Sequence, residues 1–223
     1  MLEKSWTPYT LFISTYSENG IFQKVFHDKI ILIDVSGSSK QDINGSMQLT
    51  KPEYAIYPWN KRYDWCSNCA RNYDEHPYIR FSLKNKRFKF DSYFVRCGCC
   101  YDGCCCEDYD FHCFDCCLYS WSLQISEDNK TWTEVHRMKD EEMRRCNEKT
   151  YKLDKTYSAK YVQIIQNEAC PGDPPCISLN RFELYGDVVE DGFNSDEFVS
   201  YHDDDDDVSI IGHISKNGHV KLE

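Results

Sequence analysis

The stretch SWSLQISEDNKTWTEVHR, residues 120–137, gives the strongest indication of the fold. Two β-prone runs in it, one ending at Ser126 and one containing Trp132, flank the pair Asp128-Asn129, which is typical of a turn. The stretch therefore predicts two short strands joined by a turn.

Runs of the same kind recur along the chain, with few helical patterns between them. About eight short strands separated by turn residues indicate an all-β sandwich or barrel. The run RFKFDSYFVR changes phase after Phe90, which predicts a bend or bulge. Residues 17–27, SENGIFQKVFH, predict a short amphipathic helix. The other predicted strands are KIILIDVS (29–36), HPYIRFSL (76–83), KTYKLD (149–154), AKYVQIIQ (159–166) and ISLNRFELYGDV (177–188).

Five segments resemble strands of the coagulation-factor type C, or discoidin, family of galactose-binding-like domains, including its protist members. In residues 120–137, Trp121 begins a strand, Ser126 and Asp128 shape the turn and Trp132 follows, as in that family. The resemblance places Trp121 and Trp132 on successive strands and implies that both are buried in the core. The resemblance extends over about residues 30–188. Its other segments are IDVSGSS (33–39), PYIRFSLKNKRFKFDSYFVR (77–96), AKYVQIIQ (159–166) and ISLNRFELYGDV (177–188).

The resemblance implies a jelly-roll β-sandwich with binding loops at one end and a non-catalytic role. Secreted relatives bind sugars or phospholipid, whereas intracellular relatives act as protein-interaction modules. The chain departs from the family where Tyr57 and Pro58 replace Asp-Gly in the first binding loop. This departure argues against calcium, which prefers several oxygen ligands. The frequent disulfide between the domain ends is also missing, because no Cys precedes Cys66 or follows Cys176.

The negative charge of the chain is concentrated at its C-terminal end. The formal net charge is −11, and residues 187–223 hold eleven acidic residues against two lysines. The nearly neutral remainder argues against nucleic acid as a partner, because phosphate binding requires a basic surface. We expect Asp203, Asp204, Asp205, Asp206 and Asp207 to bind a protein partner with a basic surface. Asn217-Gly218, between apolar residues, predicts a small hairpin.

Nine of the fourteen cysteines lie in residues 97–117, CGCCYDGCCCEDYDFHCFDCC. Disulfides, a metal site and unligated thiols are the three alternatives. The first residues contain no secretory signal pattern, which predicts a reducing, intracellular environment, where metal or free thiols are expected. The resemblance places two Cys-x-x-Cys units at one end of the sandwich, where together they would complete a tetrahedral zinc site. The predicted ligands are Cys66, Cys69, Cys113 and Cys116, with His112 as an alternative.

An aromatic loop precedes the first Cys-x-x-Cys unit. Aromatic rings with polar neighbours suit sugar stacking or a protein-binding hot spot. Trp65 is predicted to lie in the core, and Trp59 to lie at the surface. The predicted ligand-binding residues are Tyr57, Trp59, Asn60 and Arg62.

Three segments are predicted: residues 1–29 with the short helix, the discoidin-like sandwich at 30–188 and the acidic tail at 189–223. No phosphate-binding loop, paired carboxylates or Ser/His/Asp arrangement indicates an enzyme. We predict a non-catalytic structural or adaptor subunit of an intracellular assembly, either cytoplasmic or cytoskeletal and ciliary. The alternatives are a carbohydrate-binding module using the loop around Trp59, and a metal-handling cysteine-rich protein. No apolar run is long enough to span a membrane.

Overall fold

The computed structural model describes residues 20–70, 72–100 and 117–191, and for the backbone alone 107–108, 111–112, 212–214 and 220–222. Helix α1 is Ile21–Val25, and 3-10 turns lie at Phe26–Asp28 and Pro52–Ile56. The strands are β1 (Ile31–Val35), β2 (Lys40–Ile43), β3 (Ser46–Leu49), β4 (Trp65–Cys66), β5 (Tyr78–Leu83), β6 (Lys86–Cys97), β7 (Glu107–Asp108), β8 (Phe111–His112), β9 (Ser120–Ser126), β10 (Thr133–Lys139), β11 (Glu148–Ala159), β12 (Tyr161–Glu168), β13 (Ser178–Glu190), β14 (Gly212–Ile214) and β15 (Val220–Leu222).

Within the described residues, nine strands form one antiparallel hydrogen-bonded sheet that folds over into two layers. The sheet passes from one layer to the other at the β5–β6 hairpin, where Leu83 and Lys86 are the paired residues. One layer has the order β10-β9-β12-β5-β1, and the other has the order β11-β6-β13-β4. The predicted all-β sandwich is therefore confirmed.

Aromatic side chains join the two layers in the core. Phe81 of β5 and Phe182 of β13 stack with their ring centroids 5.2 Å apart. Trp65 and Trp121 are fully buried, as predicted. Trp132 is only half-buried, so its predicted core position is wrong. It lies with the guanidinium of Arg80 5.1 Å from its ring, on the outer face of the β5 layer.

The predicted irregularity in β6 is a bulge at Asp91. Ser92 and Phe90 pair with consecutive residues of β13, so Asp91 has no opposite residue there. Strand β13 makes room for the bulge with a glycine, Gly186. A Cβ atom at that position would lie only 2.1 Å from the carbonyl oxygen of Lys89. Because the bulge adds one residue to β6, the side chains before it and those after it both face the core. These fully buried side chains are Phe88, Phe90, Tyr93 and Val95.

Helix α1 is shorter than the predicted 17–27, and its N-terminus is capped from the sheet. Both carboxylate oxygens of Glu183 on β13 accept backbone N–H bonds, from Phe22 at 2.8 Å and from Gln23 at 3.1 Å. Burial raises the pKa of Glu183 to about 7, against the lowering effect of these bonds. The cap places Phe22 in the core, 4.9 Å from the ring of Phe81.

The chain divides into two compact units, Met1–Asp191 and Gly192–Glu223. In the second unit, β14 and β15 pair antiparallel, with Gly212 opposite Leu222. This pairing is the hairpin that Asn217-Gly218 predicts. Among the described residues, no helix has the length and apolarity needed to cross a membrane.

Candidate functional site

An aromatic platform is formed by the exposed Trp59 and the half-buried Phe26 and Tyr57. The indole of Trp59 is 46% exposed and stacks on the ring of Tyr57, with centroids 4.7 Å apart and planes inclined by 27°. Phe26 meets both rings edge-on, at 5.3 Å from Tyr57 and 5.2 Å from Trp59. The surface position predicted for Trp59 is confirmed.

The platform rests on a buried support. Tyr54 lies in the 3-10 turn Pro52–Ile56 and is buried, with its ring 4.3 Å from Tyr63 and 5.6 Å from Tyr57. Burial raises the pKa of both Tyr54 and Tyr57, so their hydroxyls stay neutral. An aromatic surface held in this way loses little conformational entropy when a ligand binds.

Two guanidinium groups hold the loop on either side of Trp59. Arg96 Nη1 donates to Asn60 Oδ1 at 3.2 Å, and Arg96 Nε donates to Glu148 Oε2 at 2.5 Å. Arg181 Nη1 donates to the backbone oxygen of Pro58 at 3.4 Å. Asn60 is exposed and has its amide oxygen turned toward Arg96.

A buried polar network continues from this loop toward the cysteine-rich end. The Lys61 ammonium donates to the backbone oxygen of Asn180, and Asn180 Nδ2 donates to Asp64 Oδ1 at 2.8 Å. Asp64 Oδ2 accepts from the backbone N–H of Cys99 at 2.7 Å. Burial lowers the pKa of Lys61 to about 8 and raises that of Asp64. The network fixes the loop because breaking it would leave buried charges without partners.

The four residues predicted to bind a ligand lie on one loop, and the residues that support this loop were not predicted. Tyr57 and Trp59 stack together, and Asn60 and Arg62 are exposed on the same loop. No local sequence motif marks the supporting residues, which are Lys61, Asp64, Arg96, Asn180 and Arg181. The available signal is that Asn180-Arg181 interrupts the apolar run of β13.

Disulfides occupy the cysteine-rich end of the sandwich. Cys100 is bonded to Cys146, and Cys117 is bonded to Cys170. Cys66 and Cys99 are also half-cystines. Cys97 is a fully buried free thiol, and burial raises its pKa to about 12. Of the three alternatives left by the sequence, disulfide formation holds for most of these described residues.

The predicted zinc site is wrong. A cysteine binds zinc as a thiolate, and the sulfur of Cys66 is instead committed to a disulfide. Among the described residues no group of three or more His, Cys, Asp or Glu side chains could hold a metal ion. Cys69 is buried, whereas Cys113 and Cys116 lie outside the described residues, as do Asp203 to Asp207.

The predicted cytoplasmic or ciliary location is also wrong. Stable disulfides form in oxidising compartments and are rare where thiols are kept reduced. The bonds Cys100–Cys146 and Cys117–Cys170 therefore indicate an oxidising compartment. The zinc prediction assumed a reducing environment, and these two disulfides contradict that assumption.

Comparison with known proteins gives structural matches alone, since no protein-family model and no curated protein sequence matches the chain. A family 32 carbohydrate-binding module from Clostridium perfringens NanJ, solved with galactose, is 15% identical, with 75% of this chain and 98% of that one covered and a TM-score of 0.46. In this chain, the described strands form the all-β sandwich that the sequence predicts.

Two further matches are similarly distant. A Clostridium perfringens module in complex with GalNAc-β-1,3-galactose is 12% identical, covering 70% of this chain and 95% of that one, with a TM-score of 0.47. A chitosan-binding module from Paenibacillus is 17% identical, covering 70% and 93%, with a TM-score of 0.44.

The prediction of a structural or adaptor subunit of an intracellular assembly is contradicted. Its compartment is excluded by the disulfides Cys100–Cys146 and Cys117–Cys170.

Proposed function

We propose that the chain is a non-catalytic carbohydrate-binding module that holds a sugar on the aromatic platform. The exposed, stacked indole of Trp59 carries this proposal. An apolar sugar face can pack on the indole, while polar neighbours such as Asn60 bond to ring hydroxyls. The supported rings of Phe26 and Tyr57 keep the indole in place before the ligand arrives.

The polar network favours binding over catalysis. Hydrolysis of a glycosidic bond generally uses two carboxyl groups that flank the bond. Asp64 is buried and engaged by Asn180 and by the Cys99 backbone. Glu148 is engaged by Arg96. These two carboxylates serve to hold the loop and the strands beneath it.

Substitution of Trp59 by alanine should abolish most of the sugar binding. We expect an affinity at least about 30-fold weaker, since a binding hot spot contributes about 2 kcal/mol or more. Calorimetric titration with galactose, N-acetylgalactosamine and chitosan oligomers measures the affinity. The panel follows the ligands named for the three matched modules.

Tyr73→Ala is the matched control, because Tyr73 is a 68% exposed aromatic residue outside the platform. It should leave the affinity unchanged. Equal affinities of the wild type and the Trp59→Ala protein would contradict the proposal, as would the absence of binding to every member of the panel.

A further inference from the structure

We infer that Glu183 is a positioning residue of the aromatic platform, because its ionised carboxylate holds both segments that carry the platform rings. One segment, helix α1 with the turn after it, carries Phe26, and the other carries Tyr57 and Trp59. Glu183 is only 1% exposed and therefore acts on the platform from below, out of reach of a ligand. The consequence for sugar affinity rests on the proposed function, whereas the effect on the platform itself does not.

The first link between Glu183 and the platform runs through helix α1. Glu183 Oε1 accepts the backbone N–H of Phe22 at 2.8 Å, and Oε2 accepts that of Gln23 at 3.1 Å. Phe26 follows the helix directly, and its ring meets the indole of Trp59 edge-on at 5.2 Å. A shift of the helix N-terminus would therefore move Phe26 relative to the indole.

The second link runs through Arg181, two residues earlier on strand β13. Arg181 Nη2 lies 4.0 Å from Glu183 Oε2, and Arg181 Nη1 donates to the backbone oxygen of Pro58 at 3.4 Å. Pro58 stands between Tyr57 and Trp59 in the chain. Because both charged side chains are buried, their attraction is screened little by solvent or salt. The carboxylate therefore helps to keep the guanidinium against the loop.

The donors around Glu183 suit the ionised carboxylate. The backbone N–H of Leu184 is a third donor, at 3.0 Å from Oε1. An ionised carboxylate only accepts hydrogen bonds, whereas a protonated carboxyl group carries an O–H on one of its oxygens. Protonation would weaken that oxygen as an acceptor and remove the charge that attracts Arg181. Both links to the platform should therefore loosen when Glu183 takes up a proton.

The burial of Glu183 sets the pH at which this happens. Burial raises its pKa to about 7, although the three N–H bonds and the charge of Arg181 act in the opposite direction. The native chain therefore holds this proton better than the unfolded chain, so the contribution of Glu183 to stability falls as the pH rises through about 7. The hold on the platform should strengthen over the same range. One proton thus affects stability and platform geometry with opposite signs.

Other charged or titratable groups lie on the elements packed against Glu183. Arg181 is the charge that acts on the pKa of Glu183, whereas Glu53 acts on the two tyrosines of the platform and its support. His27 requires a control, because its ring lies 5.4 Å from that of Phe26 and histidines commonly change charge near neutral pH. These groups include Lys24 of α1, His27 and Asp28 of the turn after it, Glu53 and Tyr54 of the turn Pro52–Ile56, Arg96 of β6 and Arg181 of β13.

The indole N–H signal of Trp59 in the sugar-free chain tests the inference without a ligand. Between about pH 5.5 and about pH 8.5 this signal should move, with its midpoint at about 7. Glu183→Gln keeps the shape of the side chain but cannot ionise, so it should abolish the movement. His27→Gln is the matched control and should retain it. If the Glu183→Gln chain does not fold, the carboxyl carbon signal of Glu183 in the wild type replaces it, and its midpoint must coincide with that of Trp59.

Calorimetry with the best-binding sugar of the panel measures the consequence for binding. The wild type should bind at least about threefold more tightly at about pH 8.5 than at about pH 5.5, the equivalent of one modest hydrogen bond. Glu183→Gln should bind equally at the two pH values. The melting temperature of the wild type relative to Glu183→Gln should fall as the pH rises. A merely structural role of Glu183 would move affinity and stability in the same direction.

The outcomes separate this inference from the proposed function. A Trp59 signal that does not titrate, that titrates equally in Glu183→Gln, or that stops titrating in His27→Gln would overturn the inference. An affinity that falls as the pH rises would also overturn it, and in each of these cases sugar binding would leave the proposed function intact. Failure of every sugar to bind would overturn the proposed function, and the Trp59 signal of the free chain would still decide the inference.

Discussion

Replacing Trp121 with alanine should lower the free energy of unfolding by about 3–5 kcal/mol, because a large buried ring is lost and a cavity remains. Trp121 is fully buried, and its Nε1 donates to Tyr93 Oη at 3.1 Å. The same hydroxyl lies 2.9 Å from His136 Nδ1, so the substitution also disrupts a chain of hydrogen bonds that runs from the core to a half-buried histidine. Urea denaturation followed by circular dichroism measures the loss.

Trp132→Ala is the matched control for this prediction. Trp132 is half-buried and contacts Arg80 on the outer face of the sheet. Removal of its ring should cost only about 1 kcal/mol, the value of a cation–π contact with partial burial. Equal losses for the two variants would contradict the assignment of Trp121 to the core and of Trp132 to the surface.

Removal of the Cys117–Cys170 disulfide by the double substitution to serine should lower the free energy of unfolding by about 2–4 kcal/mol. This bond spans 53 residues of sequence and joins the segment before β9 to the segment after β12. Without it, the unfolded chain gains conformational freedom that the native state does not share. Urea denaturation without reductant measures the difference.

Reduction of the wild-type protein is the accompanying control. Reductant should destabilise the wild type more than the double variant loses by itself, because Cys100–Cys146 is also broken. Peptide mapping without reduction should recover both linked pairs. Recovery of free thiols at these positions, with no effect of reductant on stability, would contradict the assignment of an oxidising compartment.

The strand pattern of the sandwich could be read from the sequence because it depends on local alternation. The predicted runs that contain Ile31, Tyr78, Thr133 and Tyr161 all coincide with strands. The bulge at Asp91 was visible as a change of phase between Phe90 and Tyr93. Short strands such as β4 were not predicted, since two residues carry no periodic signal.

The cysteine chemistry could not be derived in the same way. Cysteine spacing is compatible with many pairings, and the pairing Cys117–Cys170 depends on where β9 and β12 bring their ends. The expectation of a reducing compartment then biased the interpretation toward zinc at Cys66. The polar network of Lys61, Asp64 and Asn180 was also not predicted, because Asn180 is far from the other two residues in the sequence and meets them only in the folded chain.

The platform itself was predictable in part. Trp59, between Pro58 and Asn60, is marked as a surface aromatic by its polar and turn-forming neighbours. The contribution of Phe26 was not predictable, because that residue comes from the turn after helix α1 and meets Trp59 only through the fold.

The indole N–H signals of the five tryptophans give the most direct test of sugar binding at Trp59. Heteronuclear spectra are recorded while the best saccharide of the panel is added to saturation. The account predicts that the Trp59 signal moves, while those of the buried Trp65 and Trp121 stay in place. A Trp59 signal that remains fixed at saturation, with or without movement of another indole, would contradict it.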